Sequence, residues 1–109
     1  MENLTDKILV ISNLPDRDSA TRLAELLISR GQAACVNVLA PCTSIYHWQD
    51  KIESAEETPV FVKTTREKYP DVERTIKAHH PYELPEIIQV PIAGGLPSYL
   101  DWISKETSR

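Results

Sequence analysis

The sequence predicts an α+β protein with the ferredoxin-like βαββαβ arrangement, in which two helices cover one face of an antiparallel four-stranded sheet. Two observations favour this fold. Strand-like and helix-like segments follow one another in that order, and each short crossover contains one helix, as the right-handed rule requires. The chain has 109 residues, which is the size of one domain. We therefore expect a single domain over residues 1–109, with a long hairpin and an extra C-terminal helix.

The first strand and the first helix lie at the start of the chain. Residues 8–11 are a continuous apolar run, which is typical of a strand buried on both faces. Asp16 is placed to cap the following helix, and Arg30-Gly31 is a helix stop. Apolar residues recur between them at helical spacing, namely Ala20, Leu23, Ala24, Leu27 and Ile28.

A long hairpin is predicted in the middle of the chain. Residues 33–39 form a strand that Pro41 interrupts, and residues 43–48 continue it. The turn is at Gln49-Asp50-Lys51, where Asp50 tolerates a left-handed conformation. The return strand runs from near residue 52 to residue 65 and is about 46 Å long, at about 3.3 Å per residue.

The second helix follows the hairpin. Pro70 fits the first helical position, after one irregular turn at residues 66–68. Val72, Ile76 and one of the histidines at 79 and 80 then share a face, and Pro81 prevents the helix from continuing.

One strand and one helix complete the fold. Residues 86–90 form the fourth strand, and Gly94-Gly95 ends it. Pro97 opens the last helix, with Leu100 and Ile103 facing inward.

Composition excludes several classes of partner. The net charge of −4 argues against nucleic acid, which requires a basic surface. No apolar run approaches the roughly 20 residues that span a bilayer. Residues 8–11 are also too short for the apolar part of a signal peptide. We therefore expect neither a nucleic-acid nor a membrane partner, and a cytoplasmic location.

The hairpin predicts an oligomer. A compact domain of this length has a radius of gyration of about 13 Å and a diameter near 35 Å, so the hairpin projects beyond it. Its tip nevertheless carries Ile45, Tyr46, Trp48 and Ile52. An exposed arm with this apolar surface and two open edges aggregates unless it is covered. We therefore expect another subunit to cover it.

Common catalytic motifs are missing from the sequence. Gly94-Gly95 is not followed by the Lys-Ser or Lys-Thr of a phosphate-binding loop, and there is no Gly-x-Ser-x-Gly. Cys35 and Cys42 are seven residues apart. On one extended strand they would lie about 23 Å from each other, on opposite faces, unless the chain bends sharply at Pro41. We therefore expect that they neither pair nor share a metal, and we interpret both as small buried apolar residues.

His79 and His80 are the candidate metal ligands, because they stand together where the second helix ends. Glu83 and Glu86 are near enough in sequence to add oxygen ligands, and this donor set suits Cu(II), Zn(II) or Ni(II). The alternative is that one histidine caps the helix C-terminus and the other is solvated.

The remaining aromatic and acidic residues have structural interpretations. Tyr46, Trp48 and Tyr82 are expected at an interface or in the core, and His47 is expected to be structural. The acids Glu53, Glu56 and Glu57 are expected on a solvated strand face.

Several stretches resemble the CutA family of divalent-cation tolerance proteins. They are residues 33–38 (AACVNV), 43–52 (TSIYHWQDKI), 61–65 (FVKTT), 79–87 (HHPYELPEI) and 99–103 (YLDWI). The resemblance extends from residue 8 to about residue 104. It implies a ferredoxin-like homotrimer without established catalytic activity, associated with tolerance to copper and other divalent metals.

The resemblance also implies a metal site. The proposed family ligands are a histidine pair, here His79 and His80, and a cysteine whose position falls on Ser12. Cys35 corresponds to a common cysteine of the second strand, and Asp50 replaces the usual turn glycine. We therefore expect a non-enzymatic homotrimer that binds copper, zinc or another divalent cation weakly. The alternative is a small-molecule sensor or partner-binding module like the related P-II signalling proteins.

Overall fold

The strand order confirms the predicted ferredoxin-like fold. The structure is a computed structural model that describes residues 5–108. The sheet has the order β2-β4-β1-β5, β3 pairs with β4, and all pairs are antiparallel. The strands are β1 (Lys7–Leu14), β2 (Cys35–Val38), β3 (Cys42–Trp48), β4 (Lys51–Thr65) and β5 (Ile88–Pro91). The helices are α1 (Arg17–Ser29), α2 (Tyr69–His79) and α3 (Pro97–Glu106).

The core lies between one face of the sheet and helices α1 and α2. Side chains alternate along β1, so Ile8 and Val10 face the helices while Leu9 and Ile11 face the other side. The helices contribute Ala20, Leu23, Leu27, Val72 and Ile76 to this core. The other face of β1 is only half-buried in the single chain. The expectation that residues 8–11 are buried on both faces is therefore wrong for the single chain.

Both ends of α1 have the predicted caps. Asp16 Oδ1 accepts a hydrogen bond from the Ser19 backbone N–H at 2.8 Å, and this bond holds the pKa of the Asp16 carboxyl below its usual value. Gly31 follows the helix with φ of 69°, a left-handed conformation that favours glycine. The Gln32 N–H then donates to the Leu27 carbonyl at 3.0 Å, so one of the last helical carbonyls is satisfied.

The hairpin of β3 and β4 extends beyond the core, as predicted. Its tip is a two-residue turn in which Gln49 and Asp50 both have positive φ, of 50° and 65°. Two left-handed residues are typical of a type I′ turn, which matches the twist of paired strands. The molecule measures 45 Å along its longest axis and 23 Å along its shortest. We call β3 and the part of β4 paired with it the hairpin arm.

The two faces of the hairpin arm carry different side chains. Ile45 and Ile52 lie on one face and are 71% and 80% exposed. Tyr46 and Trp48 lie on the other, with 44% and 51% of their surface exposed. We call these the isoleucine face and the aromatic face.

Helix α2 begins as predicted, whereas β5 begins later than predicted. A 3₁₀ turn at Arg66–Lys68 precedes α2, and Pro70 lies in its first turn. The register of β5 with β1 pairs Ile88 with Ile11, and its continuation would place residue 86 opposite residue 13. These two residues are instead joined through their side chains, so the strand starts at residue 88 and not at residue 86.

Helix α3 covers one end of the sheet face that α1 and α2 leave open. The Lys63 ammonium lies 5.8 Å from the centroid of the Tyr99 ring, and Tyr99 stacks on Trp102. Because Lys63 alternates with core residues of β4, this contact places α3 on the opposite face. Ile103 is fully buried and Leu100 is half-buried, which confirms that both face inward.

An apolar row remains on that open face. Ile88, Ile11 and Phe61 lie side by side on β5, β1 and β4. Ile88 is 48% exposed, and Ile11 and Phe61 are half-buried. We call these three residues the open-face row.

Two buried hydroxyls on the core face of the sheet give opposite predictions for stability. Ser12 is fully buried, and its hydroxyl has no hydrogen-bond partner within residues 5–108. Thr64 is also fully buried, but its hydroxyl donates to the Gln32 carbonyl at 2.7 Å. Ser12→Ala should raise the free energy of unfolding by about 1 kcal/mol, because it removes an unsatisfied polar group. Thr64→Val should lower it by about 1 kcal/mol.

Urea denaturation measures both changes, with Thr64→Val as the control for a satisfied hydroxyl. A Ser12→Ala protein less stable than the wild type would contradict the account of Ser12.

Candidate functional site

A cleft opens between the aromatic face of the hairpin arm and the segment of residues 80–86. Its volume is about 440 Å³. The walls carry three aromatic rings and three carboxylates, those of Tyr46, Trp48, Tyr82, Glu57, Glu83 and Glu86. The cleft is formed by three separate parts of the chain, namely the end of β1 at Asn13, the hairpin arm and residues 82–86. We call it the hairpin cleft.

Two of the three carboxylates lie beside neutral donors. The Asn13 amide donates to Glu86 Oε1 at 3.0 Å, and the Tyr82 phenol lies close to the Glu57 carboxylate. Burial raises the pKa of the Tyr82 phenol, and the charge and hydrogen bond of Glu57 raise it further. The phenol therefore stays protonated at neutral pH and serves as a donor.

Glu57 differs from the solvated residue that the sequence predicts. It is half-buried and lies beside the phenol of a residue 25 positions later. The alternation of side chains in the hairpin places Tyr46 and Trp48 on the face of Glu57, and this much was readable from the sequence. The approach of Tyr82 depends on the path of residues 80–86, for which the sequence gives no signal.

His80 is buried, and backbone groups occupy both of its ring nitrogens. Nε2 lies 2.7 Å from the Asn13 carbonyl oxygen, and Nδ1 accepts the Tyr82 backbone N–H at 3.1 Å. Because a carbonyl oxygen only accepts, Nε2 must carry the proton. The His80 and Tyr82 ring centroids are 4.7 Å apart. His80 therefore fixes the start of the segment that closes the cleft.

His79 has a different environment. It is exposed at the end of α2, and its Nδ1 lies 3.0 Å from the Thr75 carbonyl oxygen of the preceding turn. The bond to a carbonyl requires a proton on Nδ1, so Nε2 is left for a ligand from outside. The alternative interpretation is that one histidine caps the helix end and the other is solvated. His79 does bond a carbonyl of the last helical turn, but His80 is buried and not solvated.

The predicted metal donors are placed apart in the single chain. Glu83 and Glu86 line the hairpin cleft, and the Ser12 side chain is buried in the core. Cys35 is half-buried and Cys42 is exposed, both as free thiols, so the expectation that both are buried is wrong. Within residues 5–108, no three His, Cys, Asp or Glu side chains are grouped closely enough to hold a metal ion. Metal binding by His79 and His80 therefore stays a prediction.

Comparison with known sequences identifies the family. The sequence profile of the family described as CutA1 divalent ion tolerance protein matches residues 8–106. The chain belongs to the CutA family. The divalent-cation tolerance protein CutA of Thermus thermophilus is 39% identical over 99 residues, which cover 91% of this chain and 96% of that protein. The protein of the same name from Archaeoglobus fulgidus is 42% identical over 84% of this chain and 88% of its own length.

Solved CutA structures have the same fold. The crystal structure of CutA from Xylella fastidiosa superposes with a TM-score of 0.92 at 39% identity, covering 94% of this chain and 99% of that one. CutA1 from Oryza sativa superposes with a TM-score of 0.91 at 33% identity, covering 94% of each chain. The chain is thus a member of the family of divalent-cation tolerance proteins in both sequence and fold.

The names of two CutA relatives refer to different cellular compartments. The protein from Arabidopsis thaliana, 33% identical over 92% of this chain and 55% of its own length, is named as chloroplastic. The Archaeoglobus fulgidus structure, with a TM-score of 0.90 at 38% identity over 93% of this chain and 98% of that one, is named as periplasmic. Among the helices within residues 5–108, none has both the length and the apolar character needed to cross a membrane. The cytoplasmic location stays a prediction.

The two adjacent histidines should show opposite tautomers. Their hydrogen bonds require the proton on Nε2 in His80 and on Nδ1 in His79. Long-range ¹H–¹⁵N correlation spectra of the neutral imidazoles distinguish the two forms. His47, which is exposed on the hairpin arm, provides the solvent reference. A His80 ring protonated on Nδ1 alone would contradict the described hydrogen bonds.

Proposed function

We propose that this CutA protein acts in divalent-cation tolerance as a homotrimer that binds divalent metal ions weakly and catalyses no reaction. The observation that carries the metal-binding part is the exposed His79 imidazole, whose Nε2 is available beside a second histidine. Imidazole nitrogen is a good ligand for Cu(II), Zn(II) and Ni(II). The family's name supports the same class of ion.

The state of His80 explains why binding is weak. To coordinate a metal, its ring must give up the bond to the Asn13 carbonyl or the one from the Tyr82 N–H. A tight site has three or four ligands already in place, whereas His79 alone is available here without rearrangement. His79 is therefore the first ligand in this proposal, and His80 is the second.

Calorimetric titration with Cu(II) and with Zn(II) tests the metal site. His79→Ala should remove most of the binding, because it removes the available nitrogen. The double variant His79→Ala/His80→Ala should remove the remainder. His47→Ala is the matched control, since it deletes the third histidine of the chain, and should bind as the wild type does. Unchanged binding in the double variant would exclude both histidines as ligands.

The homotrimer is supported by apolar surface that the single chain leaves in water. The open-face row and the isoleucine face are both exposed, with Ile52 reaching 80%. Fully burying a side chain such as Ile45 or Ile52 contributes about 1.5–3 kcal/mol, part of which offsets the entropy lost on association. This surface favours an oligomer, and the family resemblance supplies the number three.

Sedimentation equilibrium tests the assembly. The wild type should give about 37 kDa, three times the chain mass of 12.3 kDa. Ile45→Lys should weaken the association, because it places a charge on the isoleucine face outside the core. Thr43→Lys is the control, since Thr43 is exposed on the same strand and face. A wild-type mass near 12 kDa at micromolar concentration would contradict the trimer.

Binding without catalysis is consistent with how the histidines are used. Backbone groups engage both nitrogens of His80 and one of His79, which is a use in positioning the chain. General acid–base catalysis needs a ring nitrogen within reach of a substrate, which His80 does not offer while both of these bonds are made.

The hairpin cleft favours a second candidate function, that of a small-molecule sensor like the P-II proteins. Its volume of about 440 Å³ lies within the range of small-molecule sites, roughly 300–1,000 Å³. A thermal-shift screen with nucleotides, small anions and small cations tests this function. If the protein is such a sensor, at least one of these compounds should raise its melting temperature.

A further inference from the structure

The charge of the hairpin cleft determines which ligand it suits. Glu57, Glu83 and Glu86 all line it, and no lysine, arginine or histidine is found among its lining residues within the described part of the chain. The Asn13 amide that bonds Glu86 and the Tyr82 phenol that lies beside Glu57 are both neutral. They orient the carboxylates without cancelling their charge, so the cleft favours a cation over an anion or a nucleotide.

The aromatic rings favour an organic cation over a metal ion as the ligand of the cleft. Tyr46 and Trp48 stand two residues apart on one strand face, and Tyr82 faces them from residues 80–86. Their ring faces attract ammonium groups through the cation–π interaction and pack against methylene groups. They offer a hard metal ion few of the six to eight oxygen ligands that it requires. Rings and carboxylates together match a ligand that is apolar along its length and positive at its ends.

The cleft is also held in place before any ligand arrives. His80 bonds the Asn13 carbonyl and the Tyr82 N–H, and the Asn13 side chain bonds Glu86. The wall that carries Tyr82 and Glu86 is thereby tied to the end of β1. A site fixed in this way loses little conformational entropy on binding.

We infer that the hairpin cleft binds a small aliphatic diamine, whose ammonium groups pair with the carboxylates of Glu57 and Glu83 while its methylene chain packs against Trp48 and Tyr82. The inference rests on the second candidate function and names the class of its ligand. It uses different ligand-binding groups from the metal site, because neither His79 nor His80 lines the cleft.

Isothermal titration of the full-length protein with 1,4-diaminobutane tests the inference. The diamine should bind, butylamine should bind more weakly, and 1,4-butanediol, which has the same length without charge, should not bind. Sodium chloride and magnesium chloride at matched ionic strength should give no binding heat. Equal binding of the diol, or equal heat from magnesium, would overturn the assignment of an organic cation.

Variants locate the site. Glu57→Gln keeps a hydrogen-bond acceptor for Tyr82 but loses the charge, and should weaken diamine binding roughly tenfold. Trp48→Leu should weaken it roughly threefold through loss of the ring. Glu56→Gln is the matched control, because it removes the same charge from the preceding residue, which lies on the opposite face of β4. This variant should bind the diamine as the wild type does. Equal effects of the Glu56 and Glu57 variants would show that only net charge matters, and would overturn the site.

The thermal-shift screen separates the possible failures. A shift by nucleotides or anions with none by amines would leave the sensor function standing and overturn the diamine. No shift by any of the tested compounds would overturn both. Binding of the diamine without binding of Cu(II) or Zn(II) would support the cleft and contradict the histidine site.

Discussion

The length of β4 is the constraint on which the rest of the molecule depends. Its 15 residues serve two different structures, because the second half pairs with β1 and β2 inside the core sheet while the first half pairs with β3 alone. Burial changes accordingly, from exposed side chains near Lys51 to an alternation of buried and half-buried ones near Val62. A strand of this length cannot stay within a compact domain of about 35 Å, so the arm has to project. The exposed isoleucine face and the cleft are both consequences of that projection.

The arm gives each of its faces a separate role, because side chains alternate along a strand. The aromatic face turns toward residues 80–86 of the same chain and forms the cleft with them. Within residues 5–108 the isoleucine face meets no such segment and keeps Ile45 and Ile52 exposed. Alternation in the sequence already separates Tyr46 and Trp48 from Ile45, and it predicts that a partner subunit covers both faces of the tip. The structure instead places residues 80–86 of the same chain against the aromatic face, so the proposed burial between subunits need not compete with the cleft.

The fold was predictable from the sequence because its signals are local. The Asp16 cap, the Gly31 stop and the length of the hairpin each depend on a few neighbouring residues, and all were confirmed. The start of β5 was misplaced by two residues, since Glu86 is engaged by the Asn13 side chain rather than by the strand ladder. Only the hairpin wall of the cleft was predictable, because the cleft brings Glu57 next to Tyr82 across 25 positions through a segment without periodicity. Local patterns fix elements, whereas such contacts depend on tertiary packing.

The histidine pair and the cleft are neighbours through one residue. His80 ends α2, bonds the carbonyl of Asn13 at the end of β1, and accepts the N–H of Tyr82 in the cleft wall. Removing its ring from these bonds would take a partner from the Asn13 carbonyl and from the Tyr82 N–H, both in half-buried residues, at a cost of about 1 kcal/mol each. Any ligand that recruits His80 must therefore supply more than this, while a ligand in the cleft benefits from the same bonds being intact. His79 thus offers an exposed ligand nitrogen, whereas His80 is a fixed structural link. Because His80 is held in this way, it limits what the histidine pair can bind.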